Sequence, residues 1–459
     1  MTRQEVHEGQ ALSVAPGRAV ETLDHTPNGE RRHQKPPSVK SECPGWGEPF
    51  APEPTGGGTP VEGSTQHCGP GLDGPRPVRP QELPQVVDLV NQIFCVALGK
   101  PPTMGQQFPQ LFSPANAANL FLYADQGRPV AHAGLWMGTL HLPGVRLPVA
   151  ALGSVCTLPP YRGQGLAGRL VAMAWERCRE AGRPLLFISG DRSLYLRQGA
   201  HRAGRYRDLR LRPPAGTPKP SALPGLGIRL ARLPEELPIV ARLHQQEPVR
   251  WHRPWEAWPE LIEAAGYATI YHLRQELWLV TVGENPVACW VTGRGEAFPG
   301  ELLVLEAFGN RQALAASLQP LLAATGTEQA CLPLLEGDPL GPALEAAGFP
   351  VGSGPVEPLP GTVAVTDWPL LWRELAPYLE ERLPREWVGA QARVEAANGR
   401  SRYLLETETG EVWTVEGEAA LIRALFGQGD QPVPEVPPHH PLAAALPLPL
   451  PWPKGLNYI

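Results

Sequence analysis

Nine residues, Tyr161-Arg162-Gly163-Gln164-Gly165-Leu166-Ala167-Gly168-Arg169, constrain this chain more than any others. They follow an apolar strand-like run, Val149 to Thr157. They open an amphipathic pattern with Leu166, Leu170, Ala174 and Cys178 at successive i+4 positions. Glycines between a strand and a helix let the backbone approach a ligand closely. Exposed N–H groups at the positive end of the helix dipole then favour a phosphate. A nucleotide-like ligand at a strand-to-helix joint is therefore expected, and two such ligands fit the letters.

The first is a dinucleotide. Gly163-x-Gly165-x-x-Gly168 matches that fingerprint, and Asp191 follows the next strand, near where a ribose contact belongs. The surroundings count against a nicotinamide-dependent oxidoreductase. Pro159-Pro160-Tyr161-Arg162 separate the glycines from their strand. Strand-like runs at Asn119–Ala124, Pro129–Met137 and Leu147–Thr157, with Gly127 and Gly144 in the turns, make an antiparallel meander ahead of the motif. Alternating strand and helix stop after one further unit, Leu185–Ser189.

Composition narrows the class. The 459 residues suffice for two or three domains, and 42% are hydrophobic, enough for a substantial core. A net charge of −6 and a pI near 6.1 argue against a nucleic-acid partner and favour a cationic substrate. Seven scattered cysteines with no C-x-x-C pair read as reduced thiols of a cytoplasmic protein without a zinc site. No apolar run is long enough for a membrane span, and the N-terminus lacks the apolar core of a signal peptide.

Residues 1–76 are rich in Gly, Pro, Ser and Thr and read as a disordered extension. His67-Cys68 has no second pair to complete a metal site. A helix is expected over Pro80–Leu98. Beyond the glycine turn come a helix to about Ala181, a brief helix at Ser193–Gln198 and a strand at Tyr206–Leu211 that closes the first domain. Residues 223–355 repeat this shape, but their turn, Phe308-Gly309-Asn310-Arg311, keeps one glycine and reads as a relic without cofactor. Trp251, Trp255 and Trp258 are spaced to share one helical face, as a domain core or interface or as a wall of a ligand pocket. Residues 360–459 form a third part, with helical patches at Trp368–Glu381 and Glu418–Phe426 flanking three strands. An apolar, proline-laced tail ends in Leu456-Asn457-Tyr458-Ile459.

Read as Arg162-x-x-Gly165-x-Ala167, the turn resembles the acyl-CoA site of the GNAT N-acyltransferases. The three-part layout, Thr362-Val-Ala-Val-Thr-Asp-Trp-Pro-Leu-Leu-Trp and the closing Gly-Leu-Asn-Tyr-Ile resemble the enhanced intracellular survival (Eis) type. The resemblance implies an α+β architecture. A GNAT fold, a mixed sheet with flanking helices, would occur in tandem: catalytic over 77–215, degenerate over 223–355. A sterol-carrier-like α/β domain would occupy 360–459.

It also implies direct transfer of acetyl from acetyl-CoA to a primary amine, through a tetrahedral oxyanion held by a backbone N–H in the strand before the turn. Gly163, Gln164, Gly165, Leu166, Ala167 and Gly168 would hold the pyrophosphate with Arg162. Val155, Cys156 and Thr157 would offer backbone to the pantetheine arm. Cys156 itself reads as a buried, inert thiol, since no His partner adjoins it. Tyr195 is expected to protonate the departing thiolate. The chain's own terminal carboxylate, on Ile459, is a candidate base, with Asp191 and His201 as fallbacks. The acceptor would be a small-molecule or peptide amine, with no metal. The second and third parts would shape its pocket and a homo-oligomer. A non-catalytic acyl-CoA-binding scaffold of the same fold is the remaining alternative.

Overall fold

The apolar runs and glycine turns become strands and helices close to where their periodicities place them. The computed structural model describes residues 71–214, 223–352, 354–397 and 399–459. His67-Cys68 and nearly all of the expected extension lie outside these residues.

The first stretch comprises β1 (Leu72–Pro77), α1 (Leu83–Phe94), α2 (Met104–Gln107), β2 (Leu120–Asp125), β3 (Arg128–Leu142) and β4 (Val145–Thr157). It continues through α3 (Leu166–Glu180), β5 (Leu185–Ile188), α4 (Ser193–Leu196) and β6 (Tyr206–Leu211). Leu166, Leu170, Ala174 and Cys178 are buried on one face of α3, as their spacing requires. The second stretch holds β7 (Leu226–Leu230), α5 (Leu237–Gln245), β8 (Arg250–Trp251), α6 (Ala257–Ala264), α7 (Gly266–Ile270) and β9 (Arg274–Val282). Then come β10 (Asn285–Arg294), β11 (Glu301–Gly309), α8 (Arg311–Thr325), β12 (Gln329–Leu335) and α9 (Leu340–Ala346). The third has β13 (Thr362–Val365), α10 (Trp368–Glu374), α11 (Ala376–Glu380), α12 (Arg385–Val388), β14 (Gln391–Ala397), β15 (Arg400–Glu406), β16 (Val412–Glu416) and α13 (Glu418–Phe426).

One mixed sheet runs β1-β2-β3-β4-β5-β13, with β8 beside β3. A second runs β6-β12-β11-β10-β9-β7, and β14-β15-β16 form a third. In the first sheet only β4 and β5 are parallel; in the second only β11 and β12 are. The second sheet's core is Trp290, Val304, Leu332 and the buried face of α8, including Leu314, Leu318 and Leu321.

Three expectations change. β6, expected to close the first domain, instead pairs β12 from Tyr206↔Leu335 to Leu211↔Ala330. The edge of the first sheet is completed by β13, which pairs β5 from Thr362↔Ile188 to Val365↔Leu185. A short alternating strand reveals which face it buries, not which neighbour it joins. β1 lies within the segment expected to be disordered. It pairs β2 through backbone, not apolar periodicity, and Arg76 clamps it to Glu82 at 2.7 and 2.8 Å. The three tryptophans do not share a helix. Pro254 interrupts the run and α6 starts at Ala257. Trp251 lies in β8 against Phe187, ring centroids 5.1 Å apart, while Trp258 is buried against His244 and Trp255 is exposed.

Candidate functional site

The first sheet opens where parallel pairing stops. β4 and β5 are joined from Val149↔Leu185 to Leu152↔Ile188, and beyond that the strands splay. On the other side of β4 the register with β3 slips between His132↔Cys156 and Gly134↔Gly153. The extra residue makes a β-bulge, and Ser154 sits there at φ +54°. A non-glycine residue held in this region is strained, and bulges free a backbone group from the ladder. His132 fixes the bulge: its Nδ1–H donates to the Ser154 carbonyl at 3.0 Å. Burial pushes the His132 pKa down to about 4, so the ring is neutral near pH 7.

The glycine turn follows directly. A short 3-10 turn, Pro159–Tyr161, separates β4 from it, and the Tyr161 hydroxyl donates to Asp125 Oδ2 at 2.6 Å. Arg162 Nε donates to the Thr157 carbonyl at 3.2 Å. Gly163 and Gly165 adopt φ +77° and +71°, and Gly165 is the N-cap of α3. A Cβ at Gly163 would meet open space, and one at Gly165 only Arg169 Nη1 at 3.4 Å. These glycines are required by the backbone angle, and the face they expose is clear. The N–H groups of Leu166, Ala167 and Gly168 have no intrahelical acceptor and lie at the positive end of α3. Arg169 braces the turn, with Nε to Tyr123 Oη at 2.9 Å and Nη2 to the Gln164 carbonyl at 2.9 Å.

A cavity of 150 Å³ at the splay brings together Ser154, Val155, Tyr195 and Ile459. Tyr195 lies on α4 and is buried. Ile459 arrives from the far end of the chain. A Cβ built on Gly153 would lie 3.0 Å from the Ile459 carboxyl carbon, so this glycine makes room for the terminus beside the bulge. Cys156 is buried in β4 and does not line the cavity; burial pushes its thiol up to about 12, which removes it as a nucleophile. Asp191 is paired with Arg202, the His201 backbone bridges Val363, and neither lines the cavity. Gly153 and Ser154 were not singled out from sequence. A Gly-Ser pair inside an apolar strand is the signal that marks such a bulge.

Residues 75–202 match the family model for an acetyltransferase (GNAT) domain. This segment is a GNAT acetyltransferase domain. Solved structures share the wider fold. Eis1 from Mycobacterium abscessus is 15% identical, with TM-score 0.56, over 84% of this chain and 99% of that one. A GCN5-related N-acetyltransferase from Anabaena variabilis is 14% identical, with TM-score 0.55, over 84% and 99%. One from Kribbella flavida is 16% identical, with TM-score 0.53, over 84% and 98%. None of the curated proteins matches the chain in sequence.

The second sheet repeats the geometry of the GNAT splay with different occupants. Parallel pairing of β11 and β12 stops at Leu303↔Cys331, and the β10–β11 register slips between Val291↔Glu306 and Thr292↔Val304. Where the GNAT turn leaves its N–H groups open, Asn310 caps α8, its Oδ1 accepting from the Ala313 N–H at 2.9 Å, and Glu247 fills the space just ahead of the helix. Its carboxylate accepts from the Gly309 N–H at 2.7 Å and from Arg311 at 2.7 and 2.9 Å. Gly309 has another purpose as well: a Cβ there would lie 2.5 Å from the Val287 carbonyl. A phosphate arriving here would meet a carboxylate in its place.

This second splay anchors the tail. Glu306, at the β11 bulge, accepts from the Leu456 N–H at 2.7 Å and pairs with Arg253, whose Nη1 lies 2.9 Å from Oε2. Arg253 Nε reaches Asn457 Oδ1 at 2.5 Å, and its side chain is 1% exposed. Its guanidinium lies over Trp258, 5.0 Å from the ring centroid. The Tyr458 ring packs against Tyr267 and Phe108. Arg253→Met strands Glu306 without its partner, and we expect a loss of about 3 kcal/mol. A thermal melt should show the lower Tm; an unchanged Tm would refute the anchor.

Among the described residues no group of three or more His, Cys, Asp or Glu could hold a metal. No helix among them is long and apolar enough to cross a membrane.

Proposed function

We propose that the chain is an acetyl-CoA-dependent N-acetyltransferase acting in the cytoplasm on a primary amine. The observation that carries this reading is the convergence of bulge, tyrosine and terminal carboxylate on one cavity beside an open glycine cradle. The backbone from Gln164 to Gly168, with Arg162 nearby, would hold the pyrophosphate. The unpaired edge of β4 over Val155, Cys156 and Thr157 would receive the pantetheine amides. Acetyl-CoA, when bound, supplies a thioester whose acyl carbon the amine attacks.

The remaining chemistry falls to the chain itself. Ile459 sets a carboxylate beside the bulge, where it can take a proton from the acceptor ammonium. A backbone N–H freed at Ser154 and Val155 stabilises the developing oxyanion. Tyr195 delivers a proton to the sulfur as the C–S bond breaks and the N–C bond is completed. The ammonium gives up two protons: one passes through Ile459 to solvent, and the other offsets the one Tyr195 donates. The third part, residues 360–459, we read as a sterol-carrier-like domain that delivers the tail to the site.

A thiol-release assay with acetyl-CoA and a panel of amines tests the activity; acetyl-CoA binding without release on any amine would favour a scaffold. Tyr195→Phe should lower kcat by at least about 100-fold, with little change in acetyl-CoA affinity. Unaltered turnover across the pH range would remove Tyr195 as the acid.

A further inference from the structure

The lining of the GNAT cavity carries a charge pattern that discriminates between acceptors, given the acyl-transfer reading above. Its apolar walls include Phe94, Met104, Phe108, Ile270 and Tyr458. Lys100, Arg192 and His272 line it too. Among the described residues no Asp or Glu side chain does, and the carboxylate there belongs to Ile459. The acids are next door: Glu247, Glu306, Glu336 and Asp338 line the cavity of the second splay. The net charge of −6, which favoured a cationic substrate, is therefore not the charge this cavity presents. Lys100 is held in place, its Nζ donating to the Ile270 carbonyl at 3.2 Å and joining the segment after α1 to the end of α7.

We propose that the acceptor is a compact monoamine, one primary amine carried on a single apolar ring or short branched chain. Size limits the acceptor's body: the cavity is about 150 Å³, opens to solvent, and must also admit the thioester end of acetyl-CoA. Charge supports it independently. The reacting nitrogen meets the Ile459 carboxylate and leaves as a neutral amide. Each further ammonium of a polyamine or aminoglycoside would be stripped of water beside Lys100 and Arg192, with no side-chain carboxylate to receive it.

The test is thiol release by the full chain with acetyl-CoA and four acceptors: phenethylamine, isoamylamine, spermidine and kanamycin. The monoamines should exceed both polycations in kcat/KM by at least about 100-fold, because several unpaired charges are excluded at once. A preference for spermidine or kanamycin overturns the acceptor class while leaving acyl transfer intact. Silence with all four, alongside measurable acetyl-CoA binding, overturns both. Lys100→Glu should narrow the ratio by roughly tenfold or more, by supplying a counter-charge. Lys100→Gln should fall between the two and serves if the charge reversal does not fold. An unchanged ratio in a folded variant overturns the electrostatic argument.

Discussion

Adding two glycines after Ile459 is expected to lower kcat by at least about 100-fold while leaving the KM for acetyl-CoA within about twofold. The extension removes no side chain. It moves the terminal carboxylate away from Gly153, whose missing Cβ leaves room for it. The tail upstream stays held by Glu306 and Arg253, through Leu456 and Asn457. The cradle at Gly163 to Gly168 is formed by other residues and should bind as before. Steady-state kinetics on the extended and parent chains measure both parameters. Equal kcat would take the carboxylate out of the mechanism, and a raised KM with unchanged kcat would recast the tail as part of the acetyl-CoA site. Deleting Tyr458-Ile459 should mimic the kcat loss.

Gly165→Asp is expected to weaken acetyl-CoA binding by at least about 100-fold, through two additive causes. The residue sits at φ +71°, which Asp adopts less readily than Gly. Its carboxylate would also project from the N-cap of α3 onto the face proposed for the phosphates. Gly165→Asn separates the causes, because Asn has similar shape, tolerates the same backbone and carries no charge. It should lose roughly tenfold or less. Calorimetric titration with acetyl-CoA decides: equal losses for Asp and Asn would mean backbone strain alone, and unchanged affinity for Asp would move the phosphates elsewhere.

Local requirements were legible in the sequence. Positive φ at a strand-to-helix joint demands glycine, so Gly163 and Gly165 announced themselves. The i+4 stripe of α3 also followed from local pattern; Cys156 is buried as expected, but His132, which no local pattern places there, lies opposite it across the β3–β4 ladder. The tryptophans misled because three residues at helical spacing say nothing about Pro254 between them, which denies the backbone a donor. Glu247 was invisible as the carboxylate just ahead of the second helix start, being 62 residues from the glycine whose N–H it accepts. Net charge says nothing about the charge at the site, because a sum over the chain does not report which acids line which cavity.

The sequence by itself determined where two positive-φ glycines meet a helix start, which helix follows them, and that the later strand-to-helix turn keeps only Gly309. These depend on backbone angles and on side-chain spacing within one or two elements. Only the tertiary structure decided that β6 and β13 trade sheets, that the second splay holds Glu306 against Leu456, and that Ile459 ends beside Gly153 and Ser154. Those arrangements are pairings between segments more than 100 residues apart, and about 300 apart for Gly153 and Ile459. Edge hydrogen bonds and buried ion pairs select them, and both require partners that no local pattern specifies.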